Sequence, residues 1–457
     1  MRDLTQGSIT KTIIAMALPV AAGMLFQTMY LLVDLYFVAA LGDDAVAGVG
    51  AAGTLMFMIM AITQVLGVSA VALISQAVGS KQQDHANLVF NQSMLLAAVL
   101  GVLTLLGGWA TADLYMRIIA ADAGAHEQGT IFLIWFIPGM AMQFGLIGMG
   151  SALRATGIVK PGMMIQMLTV LLNTILAPIL IAGWGPGPAL GVMGAGLAST
   201  LSVAVGVLLL ILYFLKLEKY VSFQAHLWKP DFKIWTRMIN IGLPAGGEML
   251  LLFVYFAVVY LVIRDFGAAS QAGFSIGGRI MQSIFMPTMA VAFAIGPIVG
   301  QNFGAGKHER VREACYKGIM LNSIVMLVVT LMMQIAPELL VKGFTNEEEV
   351  IKVGSGFLQI ISWNFIMQGV VFTCSGVFQG LGNTRPALFS TFIRLLIFVP
   401  IAFILSRRDA FEIDQIWYVS VLSVFTQGIL SFWLVERELK LKLRTVRVAS
   451  AEAIQQV

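Results

Sequence analysis

The sequence predicts an all-α polytopic membrane protein: about twelve transmembrane helices in two homologous six-helix bundles. Three observations predict it. The chain of 457 residues is 58% hydrophobic and 11% charged, whereas soluble domains are roughly a quarter charged. Apolar stretches of about 20 residues, enough to cross a bilayer, recur along the whole length. One pattern is also written twice: Ala17-Leu18-Pro19 returns as Gly242-Leu243-Pro244, a shift of 225 positions (244 − 19). Under that shift Gln76 meets Gln301, Gly79 meets Gly304, Gly157 meets Gly382 and Pro161 meets Pro386. A register held that far marks an internal duplication. Many secondary transporters share this plan, in which two halves expose a central site to either side in turn.

The spans of the first half fall near 13–41, 49–74, 91–112, 130–153, 161–184 and 190–215. Those of the second fall near 236–263, 271–299, 315–336, 353–378, 386–406 and 414–435. The first is too long for a signal peptide, carries Asp34 and lacks a small-residue cleavage site. The polar connector around Trp228-Lys229-Pro230-Asp231 is the natural boundary. It sets an N-terminal lobe over 1–218, a linker over 219–235, a C-terminal lobe over 236–436 and a tail over 437–457. The tail is expected on the membrane surface or disordered.

The net charge of +4 suggests nucleic acid until its distribution is examined. With both termini inside, twenty Lys and Arg fall on the cytoplasmic side. The other side holds six: Arg117, Arg264, Lys342, Lys352, Arg407 and Arg408. That is the positive-inside bias, and it places both termini in the cytoplasm. The partners it implies are lipids and small molecules, with no nucleic acid. Cys315 and Cys374 lie in or at spans, so no disulfide framework is indicated. The chain contains no GxxxxGK[ST] loop to cradle ATP. His85, His126, His226 and His308 all fall in connectors, which leaves a metal or a histidine-based membrane enzyme little support. The expected energy source is therefore an ion gradient, with H⁺ or Na⁺ as coupling ion and no other cofactor.

Ionisable side chains in hydrocarbon persist mainly where they line a pathway. Four fall well inside spans: Asp34, Glu248, Arg279 and Arg394. Asp34 lies in Tyr30-Leu31-Leu32-Val33-Asp34-Leu35-Tyr36, with no basic residue a helical turn away. A carboxyl removed from water there can exchange a proton near neutral pH, can bind Na⁺ with neighbouring oxygens, or can serve as a structural cap. Its counterpart 225 positions on is Val259, so the duplicated architecture does not require the acid. Pro19, fifteen residues earlier, removes a backbone hydrogen bond from the same helix. The kink it leaves is either static or a point of bending. Glu248 is expected to pair with Arg279 or Arg394, either as structure or as a receiver of cationic substrate.

Leu18-Pro19 with Gln27 and Asp34 resembles the first helix of the multidrug and toxic compound extrusion (MATE) family. So do Gln76-Ala77-Val78-Gly79 with Gln301-Asn302-Phe303-Gly304, and Arg154-Ala155-Thr156-Gly157 with Gln379-Gly380-Leu381-Gly382. The likeness covers essentially the whole chain. It implies two six-helix lobes in a V, and export of lipophilic, often cationic compounds driven by H⁺ or Na⁺ entry. It further implies that Asp34 is the coupling acid and that Pro19 is where the first helix bends. Asn173-Thr174-Ile175-Leu176-Ala177-Pro178 resembles the family's Asn-x-x-x-Asp-Pro motif but has Ala177 at the acid. Asn173 is the expected support for the ion, or a helix-to-helix hydrogen bond, and Ser199 the hydroxyl placed beside it. Na⁺ at Asp34 and Asn173 remains an alternative to H⁺.

Gln368 falls near a position that is acidic in the sodium-coupled bacterial branch, and Glu248 lies closer to the proline than that branch places its acid. Both departures favour the DinF-like, proton-coupled branch. Gln27, Tyr30, Tyr36, Glu248, Arg279, Gln368 and Arg394 are the candidates for cavity lining or a buried charge pair. By the same likeness the chain is expected as a monomer in a prokaryotic plasma membrane. The competing readings are a lipid-linked precursor flippase of the same superfamily, which would want a more basic cavity, and a membrane enzyme or scaffold, which would want a polar catalytic cluster.

Overall fold

A computed structural model describes residues 2–184, 188–408 and 411–455, with the side chains of 27–35 and 443–455 outside the description. The first half supplies α1 (Ile9–Ala39), α2 (Asp43–Gly79), α3 (Gln83–Ile119), α4 (Ala123–Ala155), α5 (Lys160–Ala182) and α6 (Val192–Lys216). The second supplies α7 (Phe232–Ile263), α8 (Ala268–Gly304), α9 (His308–Ile335), the short α10 (Pro337–Lys342), α11 (Glu348–Ile361), α12 (Asn364–Gly380), α13 (Arg385–Ser406) and α14 (Ile413–Gln455). Eleven helices among the described residues are long and apolar enough to cross a membrane, and the pair α11 and α12, bent by 57°, makes twelve when counted as one span. The segment after 436, expected on the surface or disordered, continues α14 as helix to Gln455. Three histidines expected in connectors, His85, His126 and His308, lie in the opening turns of α3, α4 and α9.

The 225-residue shift reappears in the helix boundaries. Starts at Asp43, Gln83, Ala123 and Lys160 are matched by Ala268, His308, Glu348 and Arg385. The one departure is informative. The stretch 353–378, read from sequence as one continuous span, breaks at Ser362-Trp363, opposite Ile137-Pro138 of the unbroken α4. Pro138 has no N–H, so the carbonyl of Ile134 loses its intrahelical donor. The indole of Trp109 on α3 donates to that oxygen at 2.9 Å. At the matching place in the second half, Gln334 on α9 donates to the carbonyl of Gln359 at 2.7 Å, and Thr330 to that of Ser362 at 3.0 Å. Side chains from a neighbouring helix thus satisfy the backbone where the ladder opens, the condition for a broken helix at membrane depth. No proline marks the break, so nothing in the local sequence announces it.

The described chain divides into two compact units. Unit 1 is Met1–Asp3 with Pro19–Gly246, and unit 2 is Leu4–Leu18 with Gly247–Val457. Both α1 and α7 are therefore shared between units, divided at Pro19 and after Gly246, and the connector near 219–235 is not the boundary. In unit 1, α4 packs along α2, α3 and α6, and α5 along α6. In unit 2, α8 packs along α9, α11 and α12, and α14 along α12 and α13.

The chain leading into each shared helix is fastened by amide side chains. Before α1, Leu4 N donates to Gln301 Oε1 at 3.0 Å and Asn302 Nδ2 to the Leu4 carbonyl at 3.1 Å. Before α7, a row one helical turn apart on α3 (Gln83, Asn87, Asn91) grips residues 220–228, aided by Gln92. Asn91, wholly buried, donates to the Ser222 carbonyl at 2.9 Å and accepts from Gln224 N and Trp228 Nε1, both at 2.9 Å. Asn91→Ala leaves two donors and one acceptor without partners, a loss of about 3 kcal/mol. The measurement is melting of the purified protein in detergent, where a lowered midpoint is expected. Asn91→Asp retains both accepting bonds and should fall between.

Candidate functional site

Asn173 and Ser199 meet in unit 1. Asn173 stands on α5 and Ser199 on α6, both facing inward at 1% and 3% exposure. Asn173 Nδ2 donates to Ser199 Oγ at 3.1 Å. The small residues flanking Ser199, Gly194 to Ala198, let α6 approach closely; a Cβ at Gly196 would lie 2.7 Å from the Phe132 carbonyl of α4. Among the described residues, nothing donates a hydrogen bond to the buried Asn173 Oδ1. An unmet amide oxygen in an apolar span suits a proton donor or a hard cation. Ala177, one turn on and fully buried, supplies no second acid. Among the described residues no group of three or more His, Cys, Asp or Glu is placed to hold a metal.

Three of the named residues, Gln27, Tyr30 and Asp34, have side chains outside the described residues. Pro19 lies inside α1 and is the first residue of its stretch of unit 1. Tyr36 is exposed and meets the edge of Phe37. Gln368 is buried on α12.

The expected pairing of Glu248 with an arginine is not found. Among the described residues no ion pair includes Glu248, Arg279 or Arg394. Glu248 on α7 accepts from Ser375 Oγ of α12 at 3.1 Å. Arg279, expected inside, is exposed on α8. Arg394 is buried on α13, its guanidinium carbon 4.4 Å above the Tyr255 ring. The physical reason is that a neutral hydroxyl and an aromatic face occupy the places where opposite charges would meet. Reading the sequence passed over Tyr255, Ser375 and Gln427. Tyr255 and Glu248 do stand seven residues apart, two helical turns on one face of α7, and that spacing was a usable signal.

The two halves carry different chemistry at matching positions. Opposite Asp34, Asn173 and Ser199 stand Val259, Phe398 and Val424, all buried and apolar. Opposite Arg394 and Gln427 stand Thr169 and Ser202. Asp34, Asn173 and Ser199 thus have apolar counterparts, and the charge of Arg394 has none.

Comparison with known proteins agrees with the repeat. The MatE family model matches residues 19–179 and 244–404, segments that begin and end 225 positions apart (244 − 19, 404 − 179). The "Probable multidrug resistance protein YoeA" of Bacillus subtilis is 25% identical over 382 residues, 82% of each chain. The "Probable multidrug resistance protein NorM" of Thermotoga maritima is 26% identical over 424 residues, 92% of this chain and 91% of that one. A MOP superfamily transporter from Pyrococcus furiosus, described as having a binding pocket of reverse polarity, superposes with a TM-score of 0.89. It covers 96% of this chain and 98% of its own at 24% identity, a likeness of fold.

Proposed function

The chain belongs to the MatE family, and from that premise we propose that it is an ion-coupled antiporter exporting lipophilic, often cationic compounds. The observation that carries this reading is the family match in both halves, at the spacing of the internal repeat. The names of the relatives, which are multidrug resistance proteins, point to the same cargo class. Cation entry drives export by alternating access, and H⁺ is the favoured ion. One acid at Asp34, backed by neutral Asn173 and Ser199, is enough for a proton. Na⁺ would ask for a fuller shell of hard oxygens, and Ala177 withholds one of them. Pro19 is the bending point of α1. The protein works as a monomer in the plasma membrane with both termini in the cytoplasm, the side that holds most of its lysines and arginines.

The test is ethidium transport by proteoliposomes of the full-length protein under an imposed pH or Na⁺ difference. A pH difference should drive uptake into inverted vesicles, and a protonophore should abolish it. Ethidium movement indifferent to both gradients would remove the antiport reading.

A further inference from the structure

We infer that unit 2 holds a two-ended subsite for zwitterionic cargo, in which Arg394 receives the cargo's carboxylate and Glu248 its ammonium group. This rests on the export reading above and names a cargo class within it.

Arg394 is 8% exposed. Its Nη1 donates to Gln427 Oε1 at 3.5 Å, the outer limit of a hydrogen bond, and its Nε has no partner among the described residues. The neighbours are already engaged. Gln427 Nε2 donates to Thr391 Oγ1 at 3.0 Å, and the Tyr255 hydroxyl bonds Ser420 Oγ at 2.7 Å. Among the described residues no carboxylate lies within 4 Å. A guanidinium carries five N–H donors, and among the described residues this one meets the distant Gln427 oxygen and Tyr255, through the face of its ring and a hydrogen bond to its hydroxyl. The ring contributes a cation–π attraction but accepts no forked pair of hydrogen bonds.

Burying a charge without a counter-charge is costly, and such an arginine persists in a span when something else supplies the anion. The frame does not demand it. The matching residue, Thr169, bonds the Gln166 carbonyl of its own helix at 2.7 Å. What fits the open donors is a planar two-oxygen anion, for which the guanidinium fork is the matching shape.

Glu248 supplies the other end. It is half-buried on α7 and, among the described residues, is hydrogen-bonded by Ser375. Tyr255, beneath the Arg394 guanidinium, stands seven residues further along α7. At 1.5 Å per residue the acidic and basic stations are about 10 Å apart along one face. A rigid zwitterion of that length, cationic at one end and carboxylate at the other, would satisfy both.

The experiment is equilibrium binding to the full-length protein in detergent, with norfloxacin, norfloxacin methyl ester and ethidium as probes. Wild type should bind the acid at least about tenfold more tightly than the ester, the difference expected of a charge-assisted hydrogen bond. In R394Q the acid should lose that advantage while ester and ethidium stay unchanged, and R394K should keep part of it. Equal affinity of wild type for acid and ester overturns the inference, as does R394Q weakening all three probes alike. The wild-type comparison needs no variant, so it decides even if R394Q does not fold. A medium ion could fill the same donors. Exchanging chloride for gluconate separates the cases, because only a site shared with chloride gains affinity for the acid. Binding is read without a gradient, so failure of coupled ethidium export leaves this outcome independent.

Discussion

Proteoliposomes carrying Asp34→Asn should bind ethidium as wild type does yet move it no faster than protein-free vesicles when a pH difference is imposed. Asn matches Asp in shape and keeps the hydrogen bonds of a neutral carboxyl, but it cannot release a proton. Folding should therefore survive while the exchange of ion for cargo is lost. The expectation draws on more than a lone acid in an apolar run. The same frame occurs twice, and its second copy carries Val259, Phe398 and Val424 where the first has Asp34, Asn173 and Ser199. Three polar residues present in one copy and not the other, two of them hydrogen-bonded at 3.1 Å, argue for chemistry over packing. The readout separates the two, since a packing role predicts poor yield and lowered thermal stability. Gradient-driven export at the wild-type rate in Asp34→Asn would take the residue out of the mechanism.

Gly242→Ala should cost about 3 kcal/mol, close to the upper end for overpacking a tight interface. A Cβ at Gly242 would overlap the carbonyl oxygen of Val65 on α2, a backbone atom that cannot rotate aside. One turn later, a Cβ at Gly246 would come within 2.9 Å of the Ala61 carbonyl. The two glycines form a GxxxG stripe that lets α7 lie directly on α2 within unit 1. Their counterparts in α1 are Ala17 and Ala21, so the glycine pair is not repeated there. The checks are the yield of monodisperse protein from membranes and its melting midpoint, with Gly247→Ala as control. A Cβ at Gly247 meets only the side chain of Leu388 at 3.2 Å, which can adjust. Equal behaviour of the two variants would refute the proposed contact.

Helix positions were largely legible because a bilayer demands long apolar runs, and the repeat fixed which runs correspond. Asn173 beside Ser199 was legible through the family likeness. The broken span was not. The carbonyls it frees are satisfied by Thr330 and Gln334 on another helix, and no local residue at Ser362-Trp363 announces it. Pro138, which does look like a breaker, lies in a continuous helix, with Trp109 satisfying the freed carbonyl. Charge pairing misled for a related reason. Opposite charges on separate spans look like partners in sequence, yet Arg279 is exposed and Arg394 lies over a tyrosine. The grip on the 220–231 connector left a readable trace, since Gln83, Asn87 and Asn91 recur at the helical period in an apolar region.

The division of the chain at Pro19 and after Gly246 bears on how such a molecule could have arisen. Severing the gene within the connector would not yield two self-sufficient mini-proteins. Each fragment would retain an opening segment that belongs to its sibling's fold, residues 4–18 in one case and those up to 246 in the other. A half-length ancestor of this design would have been complete only as a swapped homodimer, each copy lending its leading arm to a twin. Gene fusion would then have joined two molecules that already depended on each other.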